Sequence, residues 1–350
     1  MIANGYIIGL SLGHNAAVCL LKDGEIIFSV EEERLTRIKA DGAPLKGLIK
    51  VLDYTDKVDS LVVCSASDVR PELEYTSEPI YLGMARKLGL IETLDKDMLG
   101  GAHPQYTEYF FDHHLAHAYC AFKRSGFEKS AVVVVDGAGS RIDLPGYGKT
   151  IHAWETESIY DFPNAEPIYK KYNTDDNDLI PSKNEFSIID YGSGIGHAYD
   201  AVTEFCGFSI LECGKTMGLS SYGKENKDVP NFFNHDGDWS YVNPGVVKPN
   251  YSGGSTININ KYPKLMNVPK EDIAYKIQKE TQEEVLKLII KAYETTGHKN
   301  ICLTGGYALN CVSNYYYLEK LSKLGIQLYI EPNSSDAGTA IGVAYMKYYK

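Results

Sequence analysis

Residues 131–135 form an unbroken apolar run that ends on Asp136 and the turn Gly137-Ala138-Gly139-Ser140. A run this short, rich in valine and closed by glycines, reads as a buried strand. It delivers Asp136 at its end, beside backbone N–H groups exposed by the turn. Upstream, His113 and His117 stand four residues apart. On a helix that spacing stacks both imidazoles on one face, one turn apart. Two nitrogens, one carboxylate and an amide-lined turn make a metal site beside an anion site. Such a pair can hold a phosphate through a divalent cation.

The pattern around this segment occurs twice. Residues 6–12 and 16–22 read as strands joined by Gly13-His14-Asn15, and Lys22-Asp23-Gly24-Glu25 turns tightly into a third strand. Helices are expected at 44–54 and near 79–93, with strands at 60–64 and 107–112; the last runs into the histidine-bearing helix. At residue 131 the order restarts. A strand, a glycine turn and a strand at 148–155 precede helices at 195–208 and 270–297. Then follow a strand at 300–304, a helix at 308–323, a strand at 327–330 and a helix from Ala337. Residues 222–266, rich in Asn, Gly, Pro and Lys, read as an irregular excursion that Trp239 and Tyr241 could anchor. Two lobes, 1–130 and 131–350, are expected. The pattern predicts an α/β protein with the duplicated fold of the actin, Hsp70 and sugar kinase superfamily, its ligand in the cleft between lobes.

A chain of 350 residues can bury cores for two lobes. No run approaches the ~18 apolar residues of a membrane-spanning helix, and the first ten residues lack the basic start of a signal peptide. A net charge of −11 argues against a broad nucleic-acid surface, which needs clustered Lys and Arg. The seven cysteines are scattered and never spaced CxxC, as expected of free thiols in a reducing cytoplasm.

Further motifs sit at strand and helix ends. Asp336, in Ser334-Ser335-Asp336-Ala337-Gly338, places a second carboxylate at a strand–helix junction, where it could also be an N-cap. Two imidazoles and two carboxylates suit iron(II), zinc or manganese better than magnesium. The turn from Thr304 through Gly305, Gly306 and Asn310 follows a buried strand and opens a helix, so its amides can hold a phosphate or ribose. Gly192-Ser193-Gly194-Ile195-Gly196-His197 also precedes a helix. His14 at the first hairpin turn could take a proton from a hydroxyl, or could simply be a hydrogen-bonded turn histidine. Lys215, in a glycine-flanked loop, could pair with a phosphate or with a structural carboxylate. The acidic run Glu31-Glu32-Glu33 reads as a solvated strand end.

These motifs in this order resemble the O-carbamoyltransferases of the NodU/CmcH type. The resemblance rests on GHNAAVCLLKDGEIIFSVEEERLTR, DHHLAHAYCAF, VVVVDGAGS, GKTMGLSSYG, LTGGYALNCVSN and EPNSSDAGTAIGVA, which run from residue 13 to 344. It implies metal ligands at His113, His117, Asp136 and Asp336, with iron(II) the usual ion. It implies that Gly137, Gly139, Gly305, Gly306, Asn310 and Lys215 line a carbamoyladenylate site and that His14 is the base. Lys39 would contact the acceptor or carbamoyl group. The implied reaction carbamoylates a hydroxyl of a small-molecule or sugar acceptor and releases AMP. In such proteins a second domain makes the carbamoyladenylate from carbamoyl phosphate and ATP. That domain is not in this sequence, so the adenylate is expected from a separate domain or protein. The alternatives are a tRNA threonylcarbamoyl transferase-like enzyme, a non-catalytic nucleotide- and metal-binding module, and a kinase of the same superfamily. No membrane partner is expected.

Overall fold

The computed structural model describes residues 5–64, 80–91, 107–110, 112–146, 148–236, 239–250 and 254–349. The chain divides into two compact units, 1–126 with 331–350, and 127–330. The last twenty residues, expected in the second lobe, belong to the first. Their helix is apolar almost throughout and packs on the first sheet.

The first unit opens with β1 (Tyr6–Ser11), β2 (Ala17–Lys22) and β3 (Glu25–Glu31), followed by α1 (Glu32–Thr36), α2 (Leu45–Lys50), β4 (Ser60–Cys64), α3 (Ile80–Lys87), β5 (Thr107–Phe110) and α4 (His113–Ser125). The strands run in the order β3-β2-β1-β4-β5. The first three pair antiparallel, while β4 and β5 join parallel. Alternation of side chains makes this a three-layer unit. Ile7, Cys19, Leu21, Val62 and Cys64 face one way, onto α4 and the C-terminal helix. Ile8, Leu10, Val18, Leu20, Leu61 and Val63 face the other way, with Leu48, Val51 and Ala85.

The second unit holds β6 (Ser130–Val135), β7 (Arg141–Pro145), β8 (Thr150–Phe162), β9 (Glu166–Thr174), β10 (Ser182–Lys183), β11 (Ser187–Tyr191), α5 (Ile195–Phe205) and α6 (Cys213–Ser220). Two hairpins follow, β12 (Phe233–Asp236) with β13 (Trp239–Val242), and β14 (Val247–Pro249) with β15 (Ser255–Ile257). They lie within the stretch 222–266 expected as an irregular excursion, most of whose described residues are outside strands and helices. Trp239 and Tyr241 both lie on β13; the Trp239 side chain is outside the described residues. The unit continues with α7 (Lys270–Thr296), β16 (Asn300–Thr304), α8 (Cys311–Ser322) and β17 (Gln327–Ile330). The chain then returns to the first unit as α9 (Ala337–Tyr349).

The second sheet repeats the first. Its central order β9-β8-β6-β16-β17 has the same directions, antiparallel through β6 and parallel beyond. The duplication expected from the pattern is therefore explicit in the topology. Sequence reading missed β7 and β9 to β11, whose polar, proline-containing stretches carry a weak strand signal. Of the helix expected near 79–93, residues 79, 92 and 93 lie outside the described residues, as does residue 111 of the expected strand 107–112.

Small residues bring α9 against α4. A β-carbon at Gly342 would lie 1.9 Å from the Ala116 carbonyl oxygen. Helix backbone cannot yield to a methyl group as a flexible side chain can, so Gly342→Ala is expected to destabilise the protein by about 1–3 kcal/mol. The lowered midpoint would appear in a thermal melt followed by circular dichroism; an unchanged midpoint would show that the helices separate freely. Among the described residues no helix is long and apolar enough to cross a membrane. None of the seven cysteines is in a disulfide, and only Cys311 is exposed.

Candidate metal centre

Within the first unit, α4 begins at His113, so His113 and His117 occupy its first two turns and share a face. Both rings are buried. Their Nε2 atoms approach to 3.1 Å, with ring planes 80° apart. Cys64, at the end of β4, sets its sulfur 3.8 Å from His113 Nδ1. That contact orients the ring and turns Nε2 towards His117, the arrangement expected behind a metal-binding histidine.

Asp336 arrives from the loop that opens α9. Glu331 accepts a charge-assisted hydrogen bond from Arg124 in the last turn of α4 and another from the Asn333 amide at 2.8 Å. The loop is thereby tied to the helix that carries the histidines. Asp336 Oδ1 lies 3.5 Å from His113 Nε2 and 3.8 Å from His117 Nε2. Its Oδ2 lies 3.9 Å from His14 Nδ1. Both carboxylate oxygens therefore face imidazoles. Burial pushes the Asp336 carboxyl up, but the charge and hydrogen bonds of His113 and His117 outweigh it and hold the group well below the usual carboxylate range.

Two Nε2 atoms and one carboxylate oxygen converging on one spot form a donor set for a divalent cation. Imidazole with carboxylate suits iron, zinc or manganese. His14 follows β1 on the turn whose Gly13 has φ 108°. Its side chain is half exposed (50%), so one edge of the ring is open.

In the second unit, Asp136 ends β6. Its Oδ1 accepts the Gly306 amide at 3.2 Å. Gly305 has φ 90°, and a β-carbon there would lie 2.3 Å from the Val135 carbonyl oxygen, so only glycine fits this crossing. The two glycine turns thus fix each other, and the Gly306 amide is already committed to Asp136. The Gly139 amide is committed as well, donating to the Glu155 carbonyl at 2.7 Å. It closes its turn, contrary to the expectation of an open anion-facing N–H.

The turn before α5 departs further. The Ile195 amide at the helix start donates to Glu157 Oε1 at 2.8 Å, so a buried carboxylate stands where a phosphate was conceivable. The same carboxylate pairs with buried Lys171 at 3.2 Å. His197, in the first turn of α5, lies against the other glycine turn; a β-carbon at Gly137 would sit 3.3 Å from its Nε2. Burial lowers the His197 pKa and favours its neutral form. Only this contact singles it out, and no spacing rule in the sequence does.

Asn310 is the N-cap of α8. Its Oδ1 accepts the Ser313 amide at 3.1 Å, and its amide exchanges hydrogen bonds with Gln278 at 2.9 and 3.2 Å. Asn310→Ala is expected to cost about 1–2 kcal/mol through the lost cap and the stranded Gln278. Urea denaturation would read it as a lower midpoint, and an unchanged one would show that water replaces the cap. Lys215 pairs with Glu212 at 2.6 Å, the structural-carboxylate reading of that residue. Lys39 is exposed in the loop after α1.

Of the acidic run, Glu32 is not a solvated strand end. It is buried and accepts the Lys46 and Gly47 amides at 2.7 and 2.8 Å. A carboxylate in that run is legible as a cap only when the helix it serves, thirteen residues on, is known to return.

Residues 101–345, more than half of the chain, match the family model "Carbamoyltransferase N-terminus". Nodulation protein NolNO of Sinorhizobium fredii is 25% identical over 356 residues, covering 95% of this chain and 46% of the relative. The uncharacterized protein sll1178 of Synechocystis is 28% identical over 390 residues, covering 99% and 57%. The chain thus spans about half the length of these relatives. In fold it resembles full-length HypF, solved in a phosphate- and nucleotide-bound form, with TM-score 0.53 and 16% identity over 100% of this chain and 56% of that one. With the actin-like duplication explicit in both sheets and the family model covering both histidines and Asp336, the chain belongs to the carbamoyltransferase N-terminus family.

Proposed function

We propose that this protein transfers a carbamoyl group from carbamoyladenylate to a hydroxyl of a small-molecule or sugar acceptor, releasing AMP. The observation that carries the reading is the convergence of His113, His117 and Asp336, with His14 on the remaining carboxylate oxygen. Asp136 is the fourth ligand in this reading, on the sequence pattern, and iron(II) the metal. When bound, the cation supplies positive charge to the phosphate of the adenylate and so stabilises the departing AMP.

The protein's own groups do the rest. His14 takes the proton of the acceptor hydroxyl as its oxygen attacks the carbamoyl carbon. A new C–O bond forms there, and the bond from that carbon to the phosphate oxygen breaks. Asp336 Oδ2 lies 3.9 Å from His14 Nδ1, on that side of the ring, which leaves Nε2 as the proton-accepting atom. Gly137 and the Gly305–Gly306 turn line the nucleotide, Asn310 holds that turn in shape, and Lys39 contacts the acceptor or carbamoyl group. Thiols outside disulfides fit work in a reducing cytoplasm.

The test supplies synthetic carbamoyladenylate and a panel of sugar and other polyhydroxyl acceptors to the iron-loaded protein. AMP release with a carbamoyl-sized mass gain on one acceptor is the expected result. AMP release without any modified acceptor would reduce the activity to hydrolysis, and no AMP release at all would contradict the reading.

A further inference from the structure

The eight residues 37–44 join α1 to α2, and two neighbouring carboxylates hold the segment and the helix start that follows it. Glu32 closes the base: its two oxygens take the Lys46 and Gly47 amides at 2.7 and 2.8 Å. Its own amide donates to the Ala16 carbonyl, just before β2, at 2.8 Å. Glu33 holds the middle, accepting the Ala40 amide through Oε2 at 3.0 Å. Arg37 at φ 63° is the left-handed C-cap of α1, its amide donating to the Glu33 carbonyl at 2.9 Å. Ala40, at φ 58°, is the non-glycine residue in the left-handed region that the Glu33 carboxylate holds. On the far side the loop reaches the His14 turn: a β-carbon at Gly42 would lie 3.3 Å from the Gly13 carbonyl oxygen. Between these fixed points Arg37, Ile38 and Lys39 stand exposed.

A loop of this length without regular structure would ordinarily move. Here Glu33 holds it at Ala40 and Glu32 fixes the start of the helix that follows, while its Gly42 passes beside the turn that carries His14 and three consecutive residues stand exposed. Ile38 is a large apolar residue left 62% exposed there. We infer that Glu33, with Glu32 behind it, is a positioning residue for the transfer reaction: it holds the segment 37–40 beside His14 so that Lys39 and its neighbours form one wall of the acceptor site. This inference rests on the carbamoyl-transfer reading above.

The test compares Glu33→Ala with Glu33→Gln in the full chain loaded with iron, using two readouts. Glutamine keeps an oxygen for the Ala40 amide and loses only the charge, so it should rescue what alanine loses. In Glu33→Ala, hydrogen exchange at residues 38–42 is expected to speed by about tenfold or more, since a hydrogen bond to a charged acceptor is lost. Carbamoyl transfer should fall by about tenfold with the acceptor KM raised, because a misplaced wall costs orientation. Glu33→Gln should stay near the native values in both. If exchange rises in Glu33→Ala but transfer is kept, the loop has no part in the reaction and the inference is overturned alone. If exchange is unchanged, there is no clamp and it is overturned as well. If the native protein itself shows no transfer, the proposed function fails and takes the inference with it.

Discussion

Replacing His113 by alanine is expected to abolish iron binding at the proposed centre. The ring is buried, its Nε2 lies 3.1 Å from the equivalent atom of His117, and Cys64 orients it from behind. Alanine leaves one imidazole and the Asp336 carboxylate of the first-unit trio. Loss even of an outer partner costs about 10–100-fold in metal affinity, and loss of a ligand should cost at least that. Anaerobically purified native protein should carry about one equivalent of iron and the variant less than about a tenth, because binding free energy follows the ligand count. The emptied ring volume also costs stability, about 1–3 kcal/mol, which a thermal melt separates from the metal effect. Full iron in His113→Ala would remove the histidines from the site.

His14→Ala is expected to act differently. Its ring is half exposed and touches Asp336 only through the outer oxygen, at 3.9 Å. The metal should stay, and the melt should barely change. Transfer from preformed carbamoyladenylate should fall by about 10²–10⁴-fold, the range for losing a general base. The effect should sit in kcat, since the proton moves only as the hydroxyl attacks. Full activity in this variant would return His14 to the role of a turn residue.

How far these groups were legible in the sequence depends on how local their signals are. The two histidines could be read because helical spacing alone puts them on one face. Asp336 could be read as a carboxylate at a strand–helix junction, but an N-cap was equally open; the distances to three imidazoles decide in favour of a polar cluster. The fold was legible because opening strands followed by helix–strand alternation recur, although the third opening strand of the second sheet, β9, left no clear signal; both sheets show the repeat. Assignment of the last helix was not, since 331–350 returns to the first sheet through non-local packing, with Gly9 and Gly342 making room. The phosphate-facing amides were the weakest reading. A glycine string gives conformational freedom but not the direction of its N–H groups, and those of Gly139 and Gly306 point to protein acceptors. Lys215 illustrates the same limit, because the carboxylate three residues earlier takes it.

The measurement that bears most directly on the central claim is AMP release from synthetic carbamoyladenylate by metal-stripped and reloaded protein in the presence of a competent acceptor. The account predicts loss of turnover by about two orders of magnitude or more on stripping, since the cation's charge stabilisation is worth several kcal/mol, with recovery when iron(II) is returned. Equal turnover with and without metal would contradict it, because the cluster of His113, His117 and Asp336 would then have no part in the chemistry.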